Sequence, residues 1–236
     1  MSRAPVAAPS PTPAAIAARA GDAPAVFPAD GSCPVDGDTG DPALNDQKNR
    51  FRAPSTSDVN AAVKVPADAI GLPEPAGATK VHRQKWPSAA AADVAALEST
   101  AAVVEGYILD VIPENGNGGE ASNCHRTEPY RYDYHIYLAG DKTTTDKADT
   151  MVVEMTPRWQ SINHPGWCVE NVAPLKTQRA HVRVTGWLMF DEDHLSDERA
   201  GTRGTVWEIH PVTKFETQTG DGPWQPLGAG GNETCR

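Results

Sequence analysis

Apolar and polar residues alternate with a period of two along five stretches of the second half of the chain: residues 103–112, 132–139, 151–156, 181–190 and 205–215. Each stretch is rich in Val, Ile, Thr, Trp or Tyr and is bounded by Gly, Pro, Asp or Asn, the pattern of short strands separated by turns. A helix precedes them. Ser88 is a good N-cap, and the Ala-rich run after it predicts a helix over 89–98. Between the third and fourth strands, residues 159–176 are long enough for a short helix, starting after or broken at Pro165-Gly166. The order strand, strand, strand, helix, strand, strand predicts a mainly β fold, an OB-like five-stranded barrel.

The same alternation sorts side chains by face. Asp133 and His135 share one face of the second strand, Glu154, Thr156 and Arg158 one face of the third, and Glu208 and His210 one face of the fifth. The opposite faces carry Tyr134, Ile136 and Leu138, then Met151, Val153 and Met155, then Trp207 and Ile209, which suit a core. In an OB barrel the second, third and fifth strands are neighbours. A row His135–Glu154–His210 is therefore expected across the outer face of the sheet.

Composition divides the rest. Among residues 1–30, 17 are Ala or Pro. Proline blocks ladders and helix interiors, and alanine has little apolar area to bury, so a disordered arm is expected there. Its prolines also interrupt any secretory apolar core. A cytoplasmic protein is the default reading, with an exported form left open. Residues 31–86 read as an irregular, turn-rich strap over the domain, 87–217 as the barrel with its leading helix, and 218–236 as a flexible tail. Asp36, Asp38 and Asp41 suggest a calcium loop, but Gly40, Asp41 and Gln47 stand where its fifth, sixth and twelfth residues should be Asp or Asn, Gly and Glu.

Net charge is −10, and residues 101–217 hold 11 basic and 18 acidic side chains. That opposes bulk DNA binding, which needs a positive surface. The acidic run 191–199 would repel phosphates; its bland reading is a solvated hairpin. No apolar run is long enough to span a membrane. Tyr130, Tyr132, Tyr134, Trp159 and Trp167 offer rings for stacking a base or sugar, or else form core.

The second half resembles a family of bacterial proteins to which no activity is assigned. The resemblance rests on Asn123-Cys124-His125, Asp133-Tyr134-His135, Val153-Glu154-Met155-Thr156-Pro157-Arg158, Asp191 with His194, and Arg203 through Pro211, which contains Trp-Glu-Ile-His-Pro. A weaker echo lies at Cys33, Asp41-Pro42 and Lys48-Asn49-Arg50. It implies a domain outline over roughly 103–216 and no mechanism.

Two readings of function follow. The first is a module that binds a small ligand or a protein partner on the outer face of strands two, three and five. The second is a metal-dependent hydrolase, of the phosphodiesterase kind, with His135, Glu154 and His210 as ligands of a divalent ion such as zinc. Asp133 would be a further ligand or acid/base group, and Arg158 would hold an anionic oxygen. A third, structural reading treats the Pro-Ala arm as a tether. The four cysteines leave several roles open: a nucleophilic Cys124 beside His125 or His135, a Cys2His2 site with His125, His164 and Cys168, or a disulfide from Cys124 to Cys33 or Cys168.

Overall fold

The computed structural model describes residues 33–229, apart from 39, 60–62, 81, 117–118, 129–130, 163 and 165. The arm, residues 1–30, lies outside the described residues. The barrel strands are β1 (Ala101–Pro113), β2 (Tyr134–Ala139), β3 (Thr150–Met155), β4 (His181–Phe190) and β5 (Trp207–Gln218). They hydrogen-bond in the order β3-β2-β1-β4-β5, and a parallel pairing of Val153 with Ile209 joins β3 to β5 and closes the barrel. This is the OB-like topology read from the sequence. β1 pairs with β4 through its first half and with β2 through its second, with a register shift between Ile108 and Asp110.

The core forms where the alternation put it. Ile136, Leu138, Met151, Val153, Val182, Val184 and Ile209 have no solvent exposure and belong to one apolar cluster. Tyr132, Tyr134, Trp159 and Trp167 pack in the same cluster, so these rings are core and not an exposed stacking platform; Tyr130 lies outside the described residues. Between β3 and β4 stand two helices, Pro157–Ile162 and Val169–Gln178. The acidic connection is no open hairpin. It makes a 3-10 turn, Glu192–His194, and a short helix, Leu195–Arg199, with Asp191, Glu192 and Leu195 buried. At the other end a two-residue strand, Gln225–Pro226, pairs with β5.

The strap lies over the barrel. It carries the helices Pro42–Lys48 and Pro66–Ile70, and Ser88–Glu98 follows it. Tryptophan indoles anchor it, each keeping an apolar body in the core while its N–H meets a carbonyl. Trp159 donates to Arg50 O, Trp187 to Arg52 O and Trp207 to Pro73 O. The guanidinium groups of Arg50 and Arg52 also lie 4.6 and 4.2 Å from the Trp187 ring. A disulfide between Cys33 and Cys124 ties the strap to the long β1–β2 loop. No helix among the described residues is long and apolar enough to cross a membrane.

Candidate metal centre

Antiparallel pairing sets His135 of β2 opposite Glu154 of β3, and the β3–β5 contact brings His210 alongside. Glu154 is the hub. Its Oε1 lies 2.8 Å from His135 Nε2, and its Oε2 lies 2.9 Å from His210 Nδ1. Each of those nitrogens also faces a second carboxylate: Glu120 at 3.1 Å from His135 Nε2, and Glu208 at 3.2 Å from His210 Nδ1. The hydrogen-bond directions go to these second carboxylates. Glu154 is fully buried, and neither of its oxygens accepts a well-directed hydrogen bond. In the metal-free protein the two imidazoles, both raised toward their protonated forms, offset its charge, and a divalent ion would do so in their place.

The face that carries this cluster is roofed. His135, Glu154, Glu208 and His210 are buried although they lie opposite the apolar core. The roof supplies residues that the strand pattern did not nominate. From the strap, Lys48 Nζ stands 3.4 Å from both Glu120 and Asp191. From the β1–β2 loop come Glu120, and Glu114 at 3.3 Å from His135 Nδ1. From beyond β4, His194 lies 2.9 Å from Asp191, and Arg203 lies 3.2 Å from Glu208. Asp191 begins the acidic run noted in the sequence, and Glu120 follows directly on Gly119 in the β1–β2 loop.

Charge in the cluster follows from burial and proximity. Burial raises the Glu120 carboxyl, but Lys48 and His135 outweigh it and hold it down at about 2. Burial lowers His210, yet Glu154 and Glu208 carry it up to about 10. His135 is raised in the same way by Glu154 and Glu120. Asp133 moves opposite to Glu120: burial and the Glu120 charge push it well above the usual carboxylate range. Its Oδ2 accepts from Asn123 Nδ2 at 2.8 Å, and its buried Oδ1 accepts nothing. The potential that protonates imidazoles is one that attracts cations.

Among the described residues, three sets of donor atoms lie within 4.8 Å of one another: Glu120, His135 and Glu154; Asp133, Glu154 and His210; and Glu154, Asp191 and Glu208. All contain Glu154. None of these sets contains both imidazoles, so the row His135–Glu154–His210 is present with each histidine on its own carboxylate oxygen. Arg158 is fully buried and joins the strap to the β1–β2 loop: its Nη2 donates to Pro34 O at 2.7 Å and to Ser122 O at 3.3 Å.

The cysteine alternatives resolve. Cys124 is in the disulfide with Cys33, so it is neither a thiolate nucleophile nor a ligand of a Cys2His2 site. Cys168 is disulfide-bonded as well. His125 is half exposed and pairs with Asp38 at 3.3 Å. Asp41 of the suggested calcium loop is a helix cap: its Oδ1 accepts from Ala43 N and its Oδ2 from Arg83 N.

No known family, curated protein or solved structure matches the chain. The fold and the site together define a class, an OB-like barrel with a buried histidine–carboxylate cluster under an N-terminal strap.

Proposed function

We propose that this chain is a divalent-metal-dependent hydrolase centred on Glu154, with His135 and His210 as its nitrogen ligands. One observation carries the reading: a fully buried carboxylate accepts no well-directed hydrogen bond while two imidazole nitrogens stand 2.8 and 2.9 Å from its two oxygens. Donors that share an ion at about 2.1 Å sit roughly 3 Å apart and point at the ion, not at each other. The surroundings fit. Glu114 at His135 Nδ1 would fix the ring and its tautomer, as outer carboxylates do for ligating histidines.

A bound divalent ion would supply a water acidic enough to ionise near neutral pH. Glu120, held ionised beside His135, would add a carboxylate oxygen to its donors. Asp133, held protonated in the metal-free protein, would give up that proton on joining the donors beside His210. Lys48 and Arg203, buried and paired with Glu120, Asp191 and Glu208, offset part of the acidic charge around the site. Access is from the side of Glu114, Glu120 and His194, whose side chains are 31%, 17% and 23% exposed. A docking surface on the outer face of β2, β3 and β5 has less support, because that face is covered. The Cys33–Cys124 disulfide supports an oxidising compartment over a reducing cytosol.

The test is metal analysis of the purified chain after equilibration with Zn²⁺ or Mn²⁺, beside hydrolysis of bis(4-nitrophenyl) phosphate. Wild type is expected to hold the metal and turn over the ester, and Glu154→Gln to lose both while keeping its far-ultraviolet circular dichroism. A wild-type chain that takes up neither ion would overturn the proposal and leave the cluster as an ion-pair clamp for the strap.

A further inference from the structure

We infer that the centre is dinuclear, with Glu154 as the bridging carboxylate between two divalent ions. The inference rests on the metal-centre reading above and goes beyond it in number and arrangement. Glu154 offers one oxygen to each histidine: Oε1 to His135 Nε2 and Oε2 to His210 Nδ1. The donor sets divide in the same way. Glu120, His135 and Glu154 form one set and Asp133, Glu154 and His210 a second, while the third, Glu154, Asp191 and Glu208, contains no imidazole. Two donors on opposite sides of one ion are at most about 4.2 Å apart for bonds near 2.1 Å. No compact donor set among the described residues unites the two imidazoles even within 4.8 Å, so one ion does not serve both.

Each half is a complete starting set. The first has an imidazole nitrogen, a Glu154 oxygen and Glu120. The second has an imidazole nitrogen, the other Glu154 oxygen and Asp133, whose Oδ1 is buried with no hydrogen bond. Glu208, 3.2 Å from His210 Nδ1, offers the second half a further oxygen. A carboxylate that binds one ion per oxygen holds the pair about 3.5–4 Å apart, the spacing of two-ion hydrolytic centres that clamp the attacking and leaving oxygens. The substrate class this favours is a phosphoric ester, whose oxygens can span both ions.

The experiment is a titration of the metal-free full chain with Mn²⁺, read by equilibrium dialysis and electron paramagnetic resonance. Two ions per chain with an exchange-coupled multiline signal is the expected result. His135→Gln and His210→Gln should each leave one ion and a simple six-line spectrum, which also shows that each variant still folds around the remaining half. Two ions without coupling would overturn the bridge. One ion in wild type would overturn the dinuclear centre and leave a single ion held by Glu154 and one of the two histidines. None would overturn both.

Discussion

Lys48 and Asp191 meet inside the molecule, Nζ to Oδ2 at 3.4 Å, with the lysine side chain 6% exposed and the aspartate not at all. The lysine comes from the strap and the aspartate from the end of β4. Their contact, shared with Glu120, is what seats the strap over the cluster. Breaking a buried pair from one side leaves an uncompensated charge, at a cost of about 3–5 kcal/mol. Lys48→Met should destabilise the metal-free protein by about that amount in urea denaturation. Lys142→Met, at an exposed position, should stay within about 0.5 kcal/mol of wild type.

The Cys33–Cys124 disulfide closes a loop with a sequence separation of 91. In the chain-entropy view a loop that long stabilises by about 4–5 kcal/mol. A Cys33→Ser/Cys124→Ser double variant should lose stability of that order. The loss should fall first on the Glu120 side of the cluster, since Ser122 O, beside Cys124, accepts from both Asn49 and Arg158. Hydrogen exchange across residues 41–50 and 119–126 would show it. Protein made in a reducing cytosol should present alkylatable thiols at both positions.

Gly186 sits where β4 passes close to β5. A Cβ there would overlap Ile209 and the carbonyl of Pro211. Overpacking of this kind costs about 1–3 kcal/mol. Gly186→Ala should fall in or above that range by denaturation midpoint. Gly140→Ala, with open space around its Cβ, should stay within about 0.5 kcal/mol.

The pH profile of the metal-free protein should carry the mark of His210. Burial opposes its proton and the Glu154 and Glu208 charges more than restore it, so its pKa is about 10 in the fold against about 6.5 unfolded. A raised folded value stabilises fully below pH 6.5, and that contribution is lost as pH rises through 10. The stability difference between wild type and His210→Gln should therefore shrink from pH 6.5 to 10. Glu120, held down at about 2, works in the opposite sense: its contribution is present above pH 4.5 and is lost as pH falls toward 2. Metal must displace the imidazole protons, so affinity for Zn²⁺ should rise from pH 6 to 9.

The barrel was legible in the chain because strand alternation is local. A residue's face follows from its neighbours two positions away. That rule placed His135, Glu154 and His210 on one face, and Ile136, Val153 and Ile209 on the other, before any contact was known. The helix between the third and fourth strands then selected the OB-like order, which makes β2, β3 and β5 neighbours. The local rule said nothing of what covers a face. It left the polar side to solvent, whereas burial there is complete at Glu154 and Glu208.

The roof was decided by tertiary structure alone. Lys48 reaches Glu120 and Asp191 from 72 and 143 positions away, and no periodicity links segments so distant. The indole anchors of Trp159, Trp187 and Trp207 carry the strap to the barrel, and the Cys33–Cys124 bond fixes its start. The alternation determined which residues could make a site. Long-range packing determined that the site is buried, that Glu154 stands between two separate imidazoles, and that the charges around it come from three distant parts of the chain. The physical reason is one of range: strand geometry is set over two residues, but the electrostatic surroundings of a buried carboxylate are set by whatever the whole fold brings within a few ångströms.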